Sequence, residues 1–524
     1  MTVVVSLNRR ISPSSVSRGT TAKVLASILF ALFLSGFSIL LHLISQPLAI
    51  TFCVLSSVAL AIYFEQYVPT VLFVCLIFQS TFISLASTRV HSAAELIPMK
   101  SYDFLIAVCV WLVIAAPFFF QRRVNSPLVR NLFYLGCLIL LVATVYFLLG
   151  LRYNARNSVI YMRNVSTPVM LFQICLLCSC RHAIPMRTIS TVILCLLIVC
   201  GYMELLDRKL WLDVTNGWRY FDLSLASQMY DPYLIKQMQQ GGIVVANPLD
   251  LLKTNFLNMN LFGQLGYQIV RLQGPNFHPI SYGYSLAAFM TFCALHKRKA
   301  LFVLAVPLLL FASAKGAIVM TLVCLLVTIV SDGRFRRMAA PLLIIGLSIY
   351  AFLVFVSGRA SGDFHVLGLL GGINGFLRQP WGRTLGQGGN LSTNFAKLDW
   401  SKFQHVGAAN TALESAIGVM LYQMGVAAIP IILTYVSIAR TCWRIHETSR
   451  IPVLAMCASG IAVMLVNGIF QEEALFAPLA MGLIMAFTGL ALGAVDRVQR
   501  RQQSNWDDGR RTAPGPELHQ AECA

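Results

Sequence analysis

Charge is what this chain has least of. Asp, Glu, Lys and Arg together make 12% of 524 residues, against 57% hydrophobic residues. A soluble chain of that length would divide into several domains, each needing a charged surface, and there is too little charge to cover them. Acidic residues are scarcer than basic ones, 21 against 40, for a formal net charge of +19. There is no Gly-rich phosphate loop, no dinucleotide-binding glycine pattern and no zinc-protease helix. Those absences argue against nucleotide-driven transport by this chain alone. None of the 14 cysteines falls within 207–278 or 358–415, the two long polar connections, so neither has a disulfide framework. Cys175, Cys178 and Cys180 have ligand-like spacing, but only His182 is near and a second ligand pair is missing. They read as small residues on an apolar face, and no metal or cofactor is expected.

What the chain does have is a succession of apolar stretches of about 17–23 residues, the length that crosses a hydrocarbon core of roughly 30 Å. They lie near 24–44, 47–64, 67–87, 102–120, 128–150, 165–180, 188–206, 279–295, 300–312, 316–331, 339–357, 416–438, 452–470 and 475–494. The first is too long for a signal-peptide core and lacks a small-residue cleavage site, so it is read as retained. The expected fold is an all-α polytopic membrane protein with about fourteen spanning helices, bearing two long extracytoplasmic loops with short amphipathic helices. Run as one helix, 300–331 would be about 48 Å long, far more than the core requires. Splitting it at 312–316 repairs this and brings Lys315 to the outer face.

Orientation follows from basic residues in the short connections. Arg122 and Arg123, Arg181 and Arg187, Lys297 to Lys299, Arg334 to Arg337, and Arg440 to Arg450 share one side with both basic tails. That side is read as the cytoplasm. The division is then a tail 1–23, spans 24–206, an outer loop 207–278, spans 279–357 with the broken hairpin, an outer loop 358–415, spans 416–494 and a tail 495–524. Within the first loop, 249–270 is expected to form an amphipathic interfacial helix. Binding and catalysis concentrate on such long loops.

One short outer connection runs against the charge rule. Residues 151–163 hold Arg152, Arg156 and Arg163 and no carboxylate. If helical, the three share a face suited to a polyanion, since guanidinium forks match phosphate oxygens. Snorkelling to lipid headgroups would also account for them.

From Arg271 onward a pattern emerges. Arg271-Leu-Gln-Gly274-Pro-Asn276-Phe-His278-Pro279 leads into a span, and Ser313-Ala-Lys315-Gly316 lies inside the split hairpin. Pro380-Trp-Gly382-Arg383 opens a Gly-rich stretch to Gly389, and His405 and Asn410-Thr-Ala-Leu-Glu414-Ser415 precede a later helix. This order, over roughly residues 265–430, resembles the O-antigen polymerase and O-antigen ligase family of membrane glycosyltransferases. Two positions depart from it. Lys315 stands where the family usually has arginine, and His405 lies five residues before Asn410 where ligases tend to have adjacent His and Asn.

The resemblance implies glycan transfer from undecaprenyl pyrophosphate at the outer face of the bacterial inner membrane, without metal or nucleotide sugar. Phosphate binding falls to Arg271, with Arg152, Arg156, Lys315 and Arg383 as lesser candidates. His405 and Glu414 are the two candidate general bases, and the sequence does not separate them. Glu472 and Glu473, at an outer turn, are read as solvated. Glu-Ser rather than His-Asn before the helix favours a polymerase of lipid-linked repeat units, in O-antigen, capsule or exopolysaccharide synthesis. A ligase, and a flippase or other transporter, are the alternatives. A chain-length regulator and a flippase of the same pathway are the expected partners, and nucleic acid is not.

Overall fold

The computed structural model describes residues 18–120, 126–229, 248–258, 263–390 and 400–512. Eleven of its helices are long and apolar enough to cross a membrane, and two shorter apolar helices, Pro279–Leu295 and Lys299–Ala312, accompany them. The chain is therefore an all-α, multi-pass membrane protein. Central and peripheral helices differ sharply. In Pro478–Gln503 83% of the apolar window is buried, whereas in Arg336–Ser361 only 11% is. The outer helix leaves Phe352 and Leu353 more than half exposed, surface that hydrocarbon must cover.

The longest helix, Pro127–Arg181, has 55 residues and would run about 82 Å if straight. It does not run straight. Asn154 leaves helical geometry, at φ −153° and ψ 90°. Beyond it the Gln173 Nε2 donates to the Phe133 carbonyl at 2.8 Å, forty residues back. The element is a hairpin of two helical arms. Asn154 restarts the second arm by accepting the Asn157 N–H at 3.1 Å, as a cap does. Gly136 lets the arms approach, because a Cβ there would fall 2.7 Å from the Gln173 amide.

This bend corrects the expected arginine face. Arg152 and Arg156 stand on opposite sides of Asn154 and are both exposed. Arg163 belongs to the second arm, where it donates to the Lys100 carbonyl at 3.2 Å. No continuous helix aligns the three.

Small residues also set the central packing. The second arm meets the C-terminal helix Leu483–Thr512 across Gly489 and Gly493, where a Cβ would fall about 2.4–2.5 Å from the Phe172 and Leu176 carbonyls. Close backbone approach of this kind is how apolar helices associate when no water is there to drive them together. Cys175 and Cys180 face the same seam.

The 300–331 stretch divides as its length demands. Lys299–Ala312 ends at Ser313, in the left-handed region at φ 49°, and Lys315–Asp332 begins two residues later.

The expected amphipathic helix over 249–270 is overturned. Its described part holds a 3-10 turn at Pro248–Leu252 and two three-residue strands, Lys253–Asn255 and Gln268–Val270, paired antiparallel. Asn255, Asn258, Gly263 and Gly266 are weak helix formers, and Gly266 adopts φ 75°. A chain punctuated so often turns back on itself more readily than it winds. Short helices do occur in both long segments, at Arg208–Val214, Gly217–Met229, Phe364–Arg378 and Trp400–Val406.

Candidate active site

The turn carrying Arg271 is organised from below by a carboxylate. Glu204, near the end of helix Met186–Leu206, is 3% exposed. It accepts the Gln273 N–H at 3.0 Å and the Gly274 N–H at 2.8 Å. Gly274 is required twice over, for its φ of +60° and because a Cβ would land 2.2 Å from the Tyr282 ring. His278 then caps the helix Pro279–Leu295, its Nδ1 accepting the Ser281 N–H, and Pro279 occupies the first helical position, where no N–H is missed.

Held this way, Arg271 reaches the broken hairpin. Its Nε donates to the Ala312 carbonyl at 3.0 Å and a terminal nitrogen lies 3.5 Å from the Ser313 carbonyl. These are helix-end carbonyls with no partner inside the helix. Burial lowers the Arg271 pKa to about 10, with Glu473 opposing the shift, so it stays charged at neutral pH. His278 is lowered as well, by the surrounding protein first and then by Arg271 and Lys100.

The break is tied in turn to the 471–473 connection. Gly316 passes so close that a Cβ would meet the Tyr284 hydroxyl at 2.2 Å. Asn467 donates to the Gly316 carbonyl at 3.1 Å, and the Tyr284 hydroxyl donates to Gln471 at 3.2 Å. Lys315, beside Gly316, is exposed.

The second long segment closes over the same place. The Asn390 N–H donates to Glu472 at 2.9 Å, while the Asn390 side-chain oxygen accepts the Glu414 N–H, also at 2.9 Å. Glu414 has φ 58°, a left-handed backbone that costs a non-glycine residue on the order of 1–3 kcal/mol. That turn sets the Glu414 carboxylate 3.5 Å from the His365 Nδ1, and Ser415 caps the helix Ala416–Met424 that follows. Loop 380–390 is itself seated on the bend at Asn154, where Ser158 donates to the Leu385 carbonyl.

Glu472 is buried and Glu473 only partly exposed, contrary to the expectation from their position at a turn that both are solvated. Glu472 is 4% exposed and accepts the Tyr161 hydroxyl at 2.5 Å. Burial raises its pKa to about 8, and Glu473 and Glu414 push the same way. Glu473 is also raised, by burial and then by Glu414, with His365 and Arg271 opposing. The protecting groups, Tyr161 and Asn390, come from 311 and 82 residues away, so local sequence could not reveal them.

The expected site residues thus separate. Arg271 and Glu414 both act electrostatically on Glu473, and Lys315 lies at the hairpin break that Arg271 reaches. His405 does not join them. It is exposed on the helix Trp400–Val406, and the imidazole beside Glu414 belongs to His365. Arg383 is engaged elsewhere, donating to the Gly375 carbonyl at 3.0 Å and stacked 4.2 Å over the Tyr422 ring. Arg152 and Arg156 are exposed at the bend under the 380–390 loop. Trp381 is 76% exposed. Among the described residues no group of His, Cys, Asp and Glu is arranged to hold a metal ion. Tyr161, Glu204, His365, Asn390, Glu472 and Glu473 had no sequence signal beyond the rarity of carboxylates within this apolar chain.

The arrangement can hold and move a proton. A neutral Glu472 would receive the Asn390 N–H on one oxygen and share its proton with Tyr161 on the other. Its folded pKa lies above the ordinary 4.5, so the fold takes up a proton between pH 4.5 and about 8. This stabilisation is complete below pH 4.5 and is lost as pH rises through about 8. The melting temperature in detergent should therefore fall between pH 5 and 9, and Glu472→Gln, a mimic of the neutral acid, should flatten that fall. Identical slopes for the two proteins would show that Glu472 does not titrate in this window.

No family model, curated protein or solved structure matches this chain.

Proposed function

We propose that the chain is a polymerase of undecaprenyl-pyrophosphate-linked oligosaccharide repeat units, acting at the outer face of the bacterial inner membrane. On this reading the eleven long helices, the second arm of 127–181, Pro279–Leu295 and Lys299–Ala312 make fourteen crossings, with the two long segments outside and both termini in the cytoplasm. The observation that carries the reading is the position of Glu414, 3.5 Å from His365 and within electrostatic reach of Glu473, on which Arg271 also acts.

On this reading Glu414 is the general base and His365 positions it. An acceptor sugar hydroxyl gives its proton to Glu414 as its oxygen bonds to the anomeric carbon. The bond from that carbon to the pyrophosphate oxygen breaks, and the electron pair leaves on the pyrophosphate. Arg271 and Lys315 stabilise that charge, in a site where donors act more strongly than in water. No nucleotide or metal enters the scheme. Glu472, uncharged, and Tyr161 keep the floor of the site from repelling the phosphates.

A strain lacking the gene should accumulate single repeats on the lipid carrier, and complementation with Glu414→Gln should leave that species in place. Long carrier-linked chains in the deletion strain that never reach their final acceptor would replace polymerase with ligase. Full-length product with Glu414→Gln would remove it as the base. The raised carboxylates Glu472 and Glu473 favour a second reading, a proton-coupled flippase, because shielded acids beside a membrane pathway serve proton relays. Movement of lipid-linked glycan driven by a pH gradient in vesicles, without chain growth, would favour that reading.

A further inference from the structure

The far end of the helix Lys315–Asp332 holds a second concave site. From Lys315 to Ser331 the helix rises about 24 Å, close to a hydrocarbon thickness. Ser331 is there one wall of a cavity of about 210 Å³. At roughly 30 Å³ per water this is space for about seven waters, a headgroup rather than a whole lipid.

Its other walls are strongly basic. Arg336 and Arg337 come from the 3-10 turn Arg336–Met338, and Arg450 from the end of the helix Ala428–Ser449. Trp443, His446, Glu447 and Arg450 recur at three- and four-residue spacing, so one face of that helix lines the cavity. Three guanidinium groups stand against one carboxylate. Glu447 is itself partnered, accepting the Trp443 indole N–H at 3.0 Å, and Arg450 donates to the Ser331 carbonyl at 3.4 Å.

Basic residues in a short connection follow from topology alone, so they do not by themselves make a site. His446 is the independent observation. It is 2% exposed, its Nδ1 lies 2.9 Å from the Ile451 carbonyl, and its Nε2 is buried with no hydrogen-bond partner. The carbonyl contact makes Nδ1 the protonated nitrogen, which leaves Nε2 an unpartnered acceptor in a residue that lines a cavity rich in guanidinium. Buried polar nitrogens are normally partnered, and this acceptor lacks the donor that a hydroxyl of a phosphate ester would supply. Arg450 also holds a left-handed backbone, at φ 59°.

We infer that this cavity is a binding site for an anionic phosphate ester, held by Arg336, Arg337 and Arg450 with His446 at its base. Basic pockets between spanning helices recognise headgroup phosphates by this chemistry, and guanidinium forks match the oxygens. The source is either an anionic lipid headgroup or a soluble phosphate ester.

The test is native mass spectrometry of the full chain, delipidated in detergent and titrated with phosphatidylglycerol or phosphatidylcholine, with glycerol 3-phosphate as soluble competitor. One phosphatidylglycerol should bind at least tenfold more tightly than phosphatidylcholine, whose choline cancels the phosphate charge. Arg336→Gln/Arg337→Gln, at two exposed positions, should abolish that preference without changing the lipid-free melting temperature. Displacement by glycerol 3-phosphate identifies the phosphate ester itself as the ligand. Tight lipid binding without displacement identifies the membrane headgroup. Equal binding of the two lipids with no glycerol 3-phosphate bound, or an unchanged preference in the double variant, overturns the site.

Discussion

Arg271→Ala should lower the proposed polymer formation at least 100-fold while the protein still inserts at normal levels. Removing one donor aimed at developing charge costs on the order of 10²–10³ in rate, about 2.7–4 kcal/mol. Arg271 has a second duty, to the Ala312 carbonyl, so a fall in activity alone would be ambiguous. Arg271→Lys separates the two. Lysine keeps the positive charge but presents a single point instead of a fork. Partial activity with an unchanged melting temperature would fit a role at the phosphate. If Arg271→Ala makes chains of near-normal length, Arg271 has no part in the mechanism.

Glu204→Ala should do comparable damage by a different route. Its carboxylate receives the N–H groups of Gln273 and Gly274, both buried. Deleting it strands two donors at about 1–3 kcal/mol each, or roughly 2–6 kcal/mol together. That is a large share of the 5–15 kcal/mol typical of a folded domain. The turn 271–276 would loosen and Arg271 would lose its aim. The variant should therefore lose polymer and melt earlier, whereas Arg271→Ala loses polymer alone. Glu204→Gln keeps one acceptor oxygen and should lie between. A Glu204→Ala protein with unchanged melting temperature would show that the turn is held by other contacts.

These two residues also mark what could be read from the sequence. Hydrophobic length was enough to locate the long apolar helices and to require the break near Ser313, because a hydrocarbon core imposes both. Arg271, Gly274 and Pro279 were legible as an ordered motif, and Glu414 as a carboxylate leading into a helix. Glu204 was not, since one acid at the end of an apolar run gives no sign that a turn 69 residues later will close on it. Glu472 was misread because its partners are distant in the chain. His405 was named from its place in the family pattern before Asn410, yet the turn at Glu414 sets its carboxylate beside His365. Arg152 and Arg156 failed as a helical pair because Asn154 found a better use for its side chain, capping the second arm.

The contact between Tyr161 and Glu472 has a consequence for synthesis. The two are 311 residues apart, and at about 5–20 residues per second the ribosome needs roughly 15–60 s to go from one to the other. Throughout that interval the early arm lies in the bilayer before Glu472 has been made. The carboxylate floor can close only when the closing helices have been inserted. A nascent or prematurely terminated chain carries Arg271 without Glu472 and Glu473, so any activity proposed for the site would begin only once the closing helices are in place.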